Sequence, residues 1–261
     1  MTDHPAWLST DERAWRVCRV GETVWSVIGS PGRVEVQPVS GSGATAPIID
    51  VVDPGTVSGA ADALVDPLRT GGAVRRLRNP DLWEALGTAA VRQVIRAAQA
   101  RKLYRAFCAQ YGERFETAAG AAWLFPRADV VLAMSDDDFE RLGMKFFRRV
   151  LRSSAEVYLK FGDEWAELSA DRLVDELKTI PRVGSWTAGA AVADYTNDFE
   201  RYPMTDLAVR TWAKRLAPSV DWPEDEGRFG RKWRSMCGDH VSEMTMLTLS
   251  WGVRHATGVS I

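Results

Sequence analysis

The sequence predicts a mainly helical α+β protein: a small antiparallel β domain over residues 1–66, then a helical body over residues 67–261. Two observations predict that division. The first fifty residues are rich in β-branched and aromatic residues broken by tight-turn signals, whereas from Asn79 onward the apolar residues recur at helical spacing. A third observation points to function. An apolar helix-hairpin-helix pattern occupies residues 177–192, and a lone carboxylate, Asp206, follows a short way downstream.

Residues 14–20 and 23–28 read as two strands joined at Gly21-Glu22, a pair that suits a two-residue hairpin turn. Ser30-Pro31-Gly32 is a second turn signal, and residues 33–37 alternate like a half-buried strand. Small residues fill the connector 40–47, and residues 48–52 are expected as a fourth strand of this sheet. In the helical body, Asn79-Pro80-Asp81 reads as an N-cap with proline at the first helical position. The helix it opens carries a buried stripe of Leu82, Leu86, Val91, Val94 and Ile95. Ser135 and Asp138 form a capping box for another helix, which Gly143 closes. Phe146, Val150, Val157 and Leu159 are expected along a further helix, and Ser169 caps the helix that leads into the hairpin. Helices over residues 206–216 and about 241–253 complete the set.

At 261 residues and 46% hydrophobic, the chain buries a full core as one large or two smaller domains. Its apolar runs are too short to span a bilayer, and its polar N-terminus does not read as a signal peptide, so a cytoplasmic protein without a membrane partner is expected. Cys18, Cys108 and Cys237 are scattered without ligand spacing, which fits a reducing compartment. His4, His240 and His255 are too dispersed for a zinc site, and the Cys237–His240 pair reads as incidental. The net charge of −2 argues against a protein that coats nucleic acid, but its distribution matters more. Residues 69–105 hold nine cations, from Arg69 through Arg105, against Asp81 and Glu84. Lys145, Arg148, Arg149 and Arg152 form a second basic run, while acid gathers at 136–138, 163–176 and 221–226. That segregation is compatible with one basic face on a near-neutral protein, and equally with solvated helix faces of both signs.

The hairpin reads Leu177-Lys178-Thr179-Ile180-Pro181-Arg182-Val183-Gly184-Ser185-Trp186-Thr187-Ala188. Leu173, Leu177 and Ile180 share one helix face, and Pro181 ends that helix because it cannot continue the hydrogen-bond ladder. Gly184 suits a tight turn and the close approach of another backbone. A second helix follows through Trp186, Ala188, Ala190, Ala191 and Val192, and its first amides suit a phosphate oxygen. This pattern resembles the helix-hairpin-helix of the base-excision DNA glycosylases. The match is closest to the 3-methyladenine branch, which also carries Trp-Thr-Ala after the hairpin and an aspartate at the spacing at which Asp206 follows Trp186. The resemblance covers roughly residues 79–255, with its specific motifs confined to 177–206.

Several expectations follow from that resemblance. Asp206 is the catalytic carboxylate; read alone, an acid after Thr205 at a helix start would be an ordinary cap. Pro181, Arg182, Val183, Gly184 and Ser185 hold the DNA backbone, and Gln93 probes the stack vacated by an extruded base. Trp186 and Trp251 belong to the base pocket. Trp186 stands where the bifunctional enzymes carry a nucleophilic lysine, so a monofunctional, water-using enzyme is implied, with Lys178 and Lys214 away from that position. The backbone carbonyls of Lys178, Ile180 and Val183 match positions that hold a sodium or potassium ion. No other cofactor is required, and the four-cysteine iron–sulfur motif of the endonuclease III and adenine-mismatch branches is missing. The family also implies a monomer at the nucleoid acting on double-stranded DNA that carries a modified base, an alkylated purine first. One departure stands out: Arg182 replaces the first hairpin glycine, either obstructing the phosphate backbone or adding a cation to it. Two alternatives stay open: a non-catalytic hairpin DNA-binding protein, and a hydrolase of free modified nucleosides on the same fold.

Overall fold

A computed structural model describes residues 4–257. Strands β1 (Leu8–Ser9), β2 (Ala14–Val20), β3 (Thr23–Ser30) and β4 (Arg33–Ser40) form an antiparallel sheet in that order. Val20 pairs with Thr23 and Ser30 with Arg33, so Gly21-Glu22 and Pro31-Gly32 are the two tight turns. Beyond the sheet run β5 (Ile49–Val52), α1 (Asp62–Arg69), β6 (Val74–Leu77), α2 (Leu82–Val91) and α3 (Ala97–Tyr111). A hairpin of β7 (Arg114–Thr117) and β8 (Gly120–Trp123) separates α3 from α4 (Ala128–Ala133) and α5 (Asp136–Arg141). The chain ends with α6 (Arg148–Ala166), α7 (Ala170–Leu177), α8 (Ser185–Thr196), α9 (Leu207–Leu216), α10 (Glu226–Cys237) and α11 (Val241–Thr257).

The strand expected near residues 48–52 forms, but it does not join the N-terminal sheet. Its partner is β6, with Ile49 opposite Leu77 and Val52 opposite Val74. Residue 66, where the sequence places the domain division, lies within α1, whose Leu64, Val65 and Leu68 pack in the same core as Phe229 and Trp233. The β7–β8 hairpin, which helical periodicity does not anticipate, closes the other sheet face through Ala122 and Leu124 against Val17 and Val24.

Two apolar cores organise the helices. One gathers α2 to α8 around Leu86, Phe107, Phe139, Leu151, Leu173 and Leu177. The other gathers α1 and α9 to α11 around Leu64, Val209, Phe229 and Trp233. Helix α8 is shared, with Ala188, Ala191 and Val192 in the first core and Ala193 in the second. A large cleft opens beside this shared helix.

Helix starts show which capping expectations hold. Ser135 and Asp138 form the capping box, and Gly143 closes α5 in the left-handed conformation at φ +70°. The cap of α2 is Asp81, whose Oδ1 accepts from the amides of Trp83 at 2.8 Å and Glu84 at 3.2 Å. Asn79 instead accepts from the Asp81 amide at 3.1 Å and donates to Asp194 Oδ2 at 2.8 Å, so its side chain is already committed. Ser169 stands at the N-cap of α7 without a side-chain cap bond. Val94, expected in the buried stripe, is exposed because α2 stops at Val91; of the residues expected along the further helix, Phe146 precedes α6, and both it and Leu159 are exposed.

Candidate active site

The hairpin lies between α7 and α8, with Leu173, Leu177, Ile180 and Val183 buried beneath it. Pro181, Arg182, Gly184 and Ser185 face solvent above them. The turn is tight at Arg182, not at Gly184. Arg182 has φ +72°, the left-handed region that glycine normally fills, whereas Gly184 is extended at φ −91°. A Cβ on Gly184 would meet open space, and the glycine stands exposed at the N-cap of α8, beside that helix's first amides.

Gln93 reaches this turn from the end of α2. Its Nε2 donates to the Arg182 carbonyl at 3.1 Å and to Thr187 Oγ1 at 2.6 Å. Gln93, expected from the resemblance to probe a vacated stack, is thus a strut between the hairpin and the first turn of α8, with Thr187 as its second anchor. The neighbouring Val94 is 85% exposed and holds φ +53°, a costly conformation for a β-branched residue. Two of the three described non-glycine residues with positive φ therefore lie at one cleft rim, tied together by Gln93.

Asp206 is the N-cap of α9, its Oδ1 accepting from the Ala208 amide at 2.8 Å. Its Oδ2 accepts the indole N–H of Trp186. The carboxylate thus sits at the positive end of a helix, fixed in rotation by a donor from the neighbouring helix. The segment leading to it is placed by Gly189: a Cβ there would stand 2.3 Å from the Arg201 carbonyl and 3.3 Å from Pro203 Cδ. Glycine on α8 is what lets residues 201–203 lie against that helix and carry Asp206 to the head of α9.

Asp206, Trp186, Gln93, Val94 and Arg182 line one cleft of about 1000 Å³. Its aromatic lining also includes Phe199, Tyr202 and Trp212, with Phe146 at the rim. Phe199 and Tyr202 stack at a centroid separation of 5.9 Å. Trp251 is not among the lining residues. It packs edge-on against Trp212 at 6.3 Å and stacks on His255 at 3.7 Å. Trp212 is admitted by Gly252, where a Cβ would stand 2.3 Å from the indole. Helical spacing alone does not distinguish the two tryptophans, because the deciding contact comes from a glycine on another helix.

The basic stretch divides among several tasks. Arg69, Arg76 and Arg78 pair with Asp66, Asp194 and Asp50. In the second run, Lys145 pairs with Glu140, and Arg148 and Arg152 share Asp136. Arg92, Arg96 and Arg182 line the cleft. Deeper in, Asp194 receives Arg76, Asn79 at 2.8 Å and His4 Nε2 at 3.4 Å. Burial would raise the Asp194 carboxyl, but His4, Arg76 and Asn79 outweigh it and hold the group well below the usual carboxylate range. His4 Nδ1 accepts from the Ala6 amide at 3.2 Å, and Nε2 is the ring nitrogen that faces Asp194.

No protein-family model and no curated sequence matches the chain. Its fold is shared with solved DNA glycosylases. A 3-methyladenine DNA glycosylase from Archaeoglobus fulgidus superposes with a TM-score of 0.73 at 14% identity, over 95% of this chain and 90% of that one. An 8-oxoguanine glycosylase/lyase from Clostridium acetobutylicum in its apo form gives 0.67 at 16% identity, over 95% and 89%. A DNA-3-methyladenine glycosidase from Bacillus halodurans gives 0.55 at 16% identity, over 81% and 96%. The resemblance carried by residues 177–206 thus extends, as a fold, over nearly the whole chain. At such identities the likeness is one of architecture, and the chemistry has to be argued from the site.

Proposed function

We propose that the protein is a monofunctional DNA glycosylase that hydrolyses the N-glycosidic bond of a modified base, an alkylated purine first, and leaves an abasic site. The observation that carries this reading is the Asp206 carboxylate at the head of α9, in one cleft with aromatic side chains and beside the exposed N-terminus of α8. Cleavage builds positive charge on the sugar, and a fixed carboxylate stabilises that oxocarbenium-like state. A cationic alkylated base leaves as a neutral molecule and needs no general acid. Water then adds at C1′ and gives up its proton, completing hydrolysis.

An extruded base needs a shaped aromatic pocket, which Trp186, Trp212 and Tyr202 supply. The exposed apolar tip at Val94, rather than Gln93, suits the space an extruded base vacates, since proteins that distort DNA insert apolar wedges between base steps. The α8 amides and Arg182 suit a phosphate beside the hairpin. The backbone carbonyls of Lys178, Ile180 and Val183 would hold a sodium or potassium ion at the turn, that of Ile180 already accepting from the Val183 amide at 3.0 Å. Such an ion would supply a positive charge beside the hairpin. A structure of the Clostridium enzyme holds double-stranded DNA with cytosine opposite 8-oxoG, which supports duplex DNA as the partner here.

Trp186 argues for hydrolysis over lyase chemistry, because an indole forms no Schiff base with C1′. The test is a panel of duplexes, each carrying one modified base, assayed for abasic sites before and after alkali. We expect release of an alkylated purine with the strand intact until alkali is added, and no protein–DNA adduct under borohydride. Trapping of an adduct would overturn the monofunctional mechanism, and failure to release any base would overturn the glycosylase reading.

A further inference from the structure

We infer that a second cavity, at the junction of the N-terminal sheet and the helical body, binds a nucleotide-like phosphate ester. This cavity has a volume of about 430 Å³, within the range of small-molecule sites, and shares His4, Arg76 and Val253 with the lining of the base cleft. Its remaining cations come from separate parts of the chain: Arg13 before β2, Arg75 on β6, and Arg101 and Arg105 on α3. Asp11 and Glu12 are the carboxylates that line it. Three further lining arginines are engaged elsewhere: Arg33 pairs with Glu35 at 3.3 Å, Arg76 pairs with Asp194, and Arg254 donates to the Gly71 carbonyl at 2.8 Å. Four arginines against two carboxylates leave a positive pocket on a chain whose net charge is −2.

The convergence is costly without an anion. Arg105 lies below its ordinary pKa, first through burial and then through the charge of Arg101 one helical turn away. Its guanidinium is held in place by the carbonyls of Pro5 and Trp7, which orient it without cancelling the charge. Guanidinium groups gathered around a concavity match the oxygens of a phosphate. The lining also includes the apolar side chains of Trp7, Val27 and Leu77, which suit a flat organic body that inorganic phosphate lacks. The phosphate ester has two sources, a free nucleotide or a nucleotide of a strand running past the cleft.

Titrating deoxyadenosine monophosphate into the full chain, followed by calorimetry, tests the site. We expect saturable binding that falls steeply with salt, and binding of deoxyadenosine at least tenfold weaker. Arg13→Gln with Arg101→Gln, neither of which lines the base cleft, should raise Kd at least tenfold, while Trp212→Leu in that cleft should leave Kd unchanged. Displacement by undamaged duplex would identify the strand as the source, and its failure would identify the free nucleotide. Absent binding, or binding indifferent to the two arginine substitutions, would overturn the inference. Base release from damaged duplex by the same variants separates this outcome from failure of the glycosylase reading.

Discussion

Arg182 holds a left-handed backbone that costs an L-residue roughly 1–2 kcal/mol. Replacing it with glycine removes that strain but loosens the unfolded chain by about 0.5–1 kcal/mol. Arg182→Gly should therefore leave the fold unchanged or stabilise it by up to about 1 kcal/mol, read from denaturant midpoints. The same variant loses a cation at the hairpin, so DNA binding should weaken and the salt slope should drop by about one unit. Tighter binding would mean that the side chain obstructs the phosphate instead. Trp186→Phe keeps the ring in the cleft and removes only the N–H that fixes Asp206. We expect kcat to fall about tenfold with KM little changed, the signature of an interaction that matters in the transition state. A rise in KM alone would make Trp186 a stacking residue rather than a positioning one.

Among the elements, α8 links the two cores and the deep ion pair. Asp194, near its C-terminal end, neutralises Arg76, which is 4% exposed. Asp194→Asn would leave that cation buried without its partner, a loss on the order of 3–5 kcal/mol. The pH dependence has a definite sign. A carboxyl held below its unfolded value stabilises the fold above about pH 4 and loses that contribution as pH falls further. Wild-type stability should decline on that acid limb, and Asp194→Asn should flatten it, as urea titrations at several pH values would show. The helices around the hairpin were legible in the sequence because Leu173 and Leu177 share one buried face, but α7 ends at Leu177, and Ile180, expected on that helix up to Pro181, is buried in the turn instead. Other features were not. Periodicity tells which face of a strand is buried but not which strand it joins, so residues 48–52 gave no sign of pairing with β6. Asn79 and Asp81 are equally good caps by type, and the choice rests on Asp194, far along the chain.

For the whole molecule, the cleft depends on contacts between distant segments. Gly189 seats residues 201–203, Gly252 seats Trp212, and Gln93 joins the end of α2 to the hairpin. The spacing of Trp186 and Asp206 was readable because both lie on one motif, and the structure brings them into direct hydrogen-bond contact. Trp212, Val94 and Thr187 were not readable, since their places are set by partners that no local pattern names. The fold places a carboxylate, a hairpin and an aromatic cleft together, and the proposed chemistry rests on that carboxylate. Asp206→Asn keeps an oxygen for the Ala208 amide and removes the negative charge. Single-turnover release of the best substrate base should fall at least about a hundredfold, the scale of a lost electrostatic stabiliser, with DNA affinity and thermal midpoint preserved. Base release by Asp206→Asn at the wild-type rate would contradict the catalytic assignment.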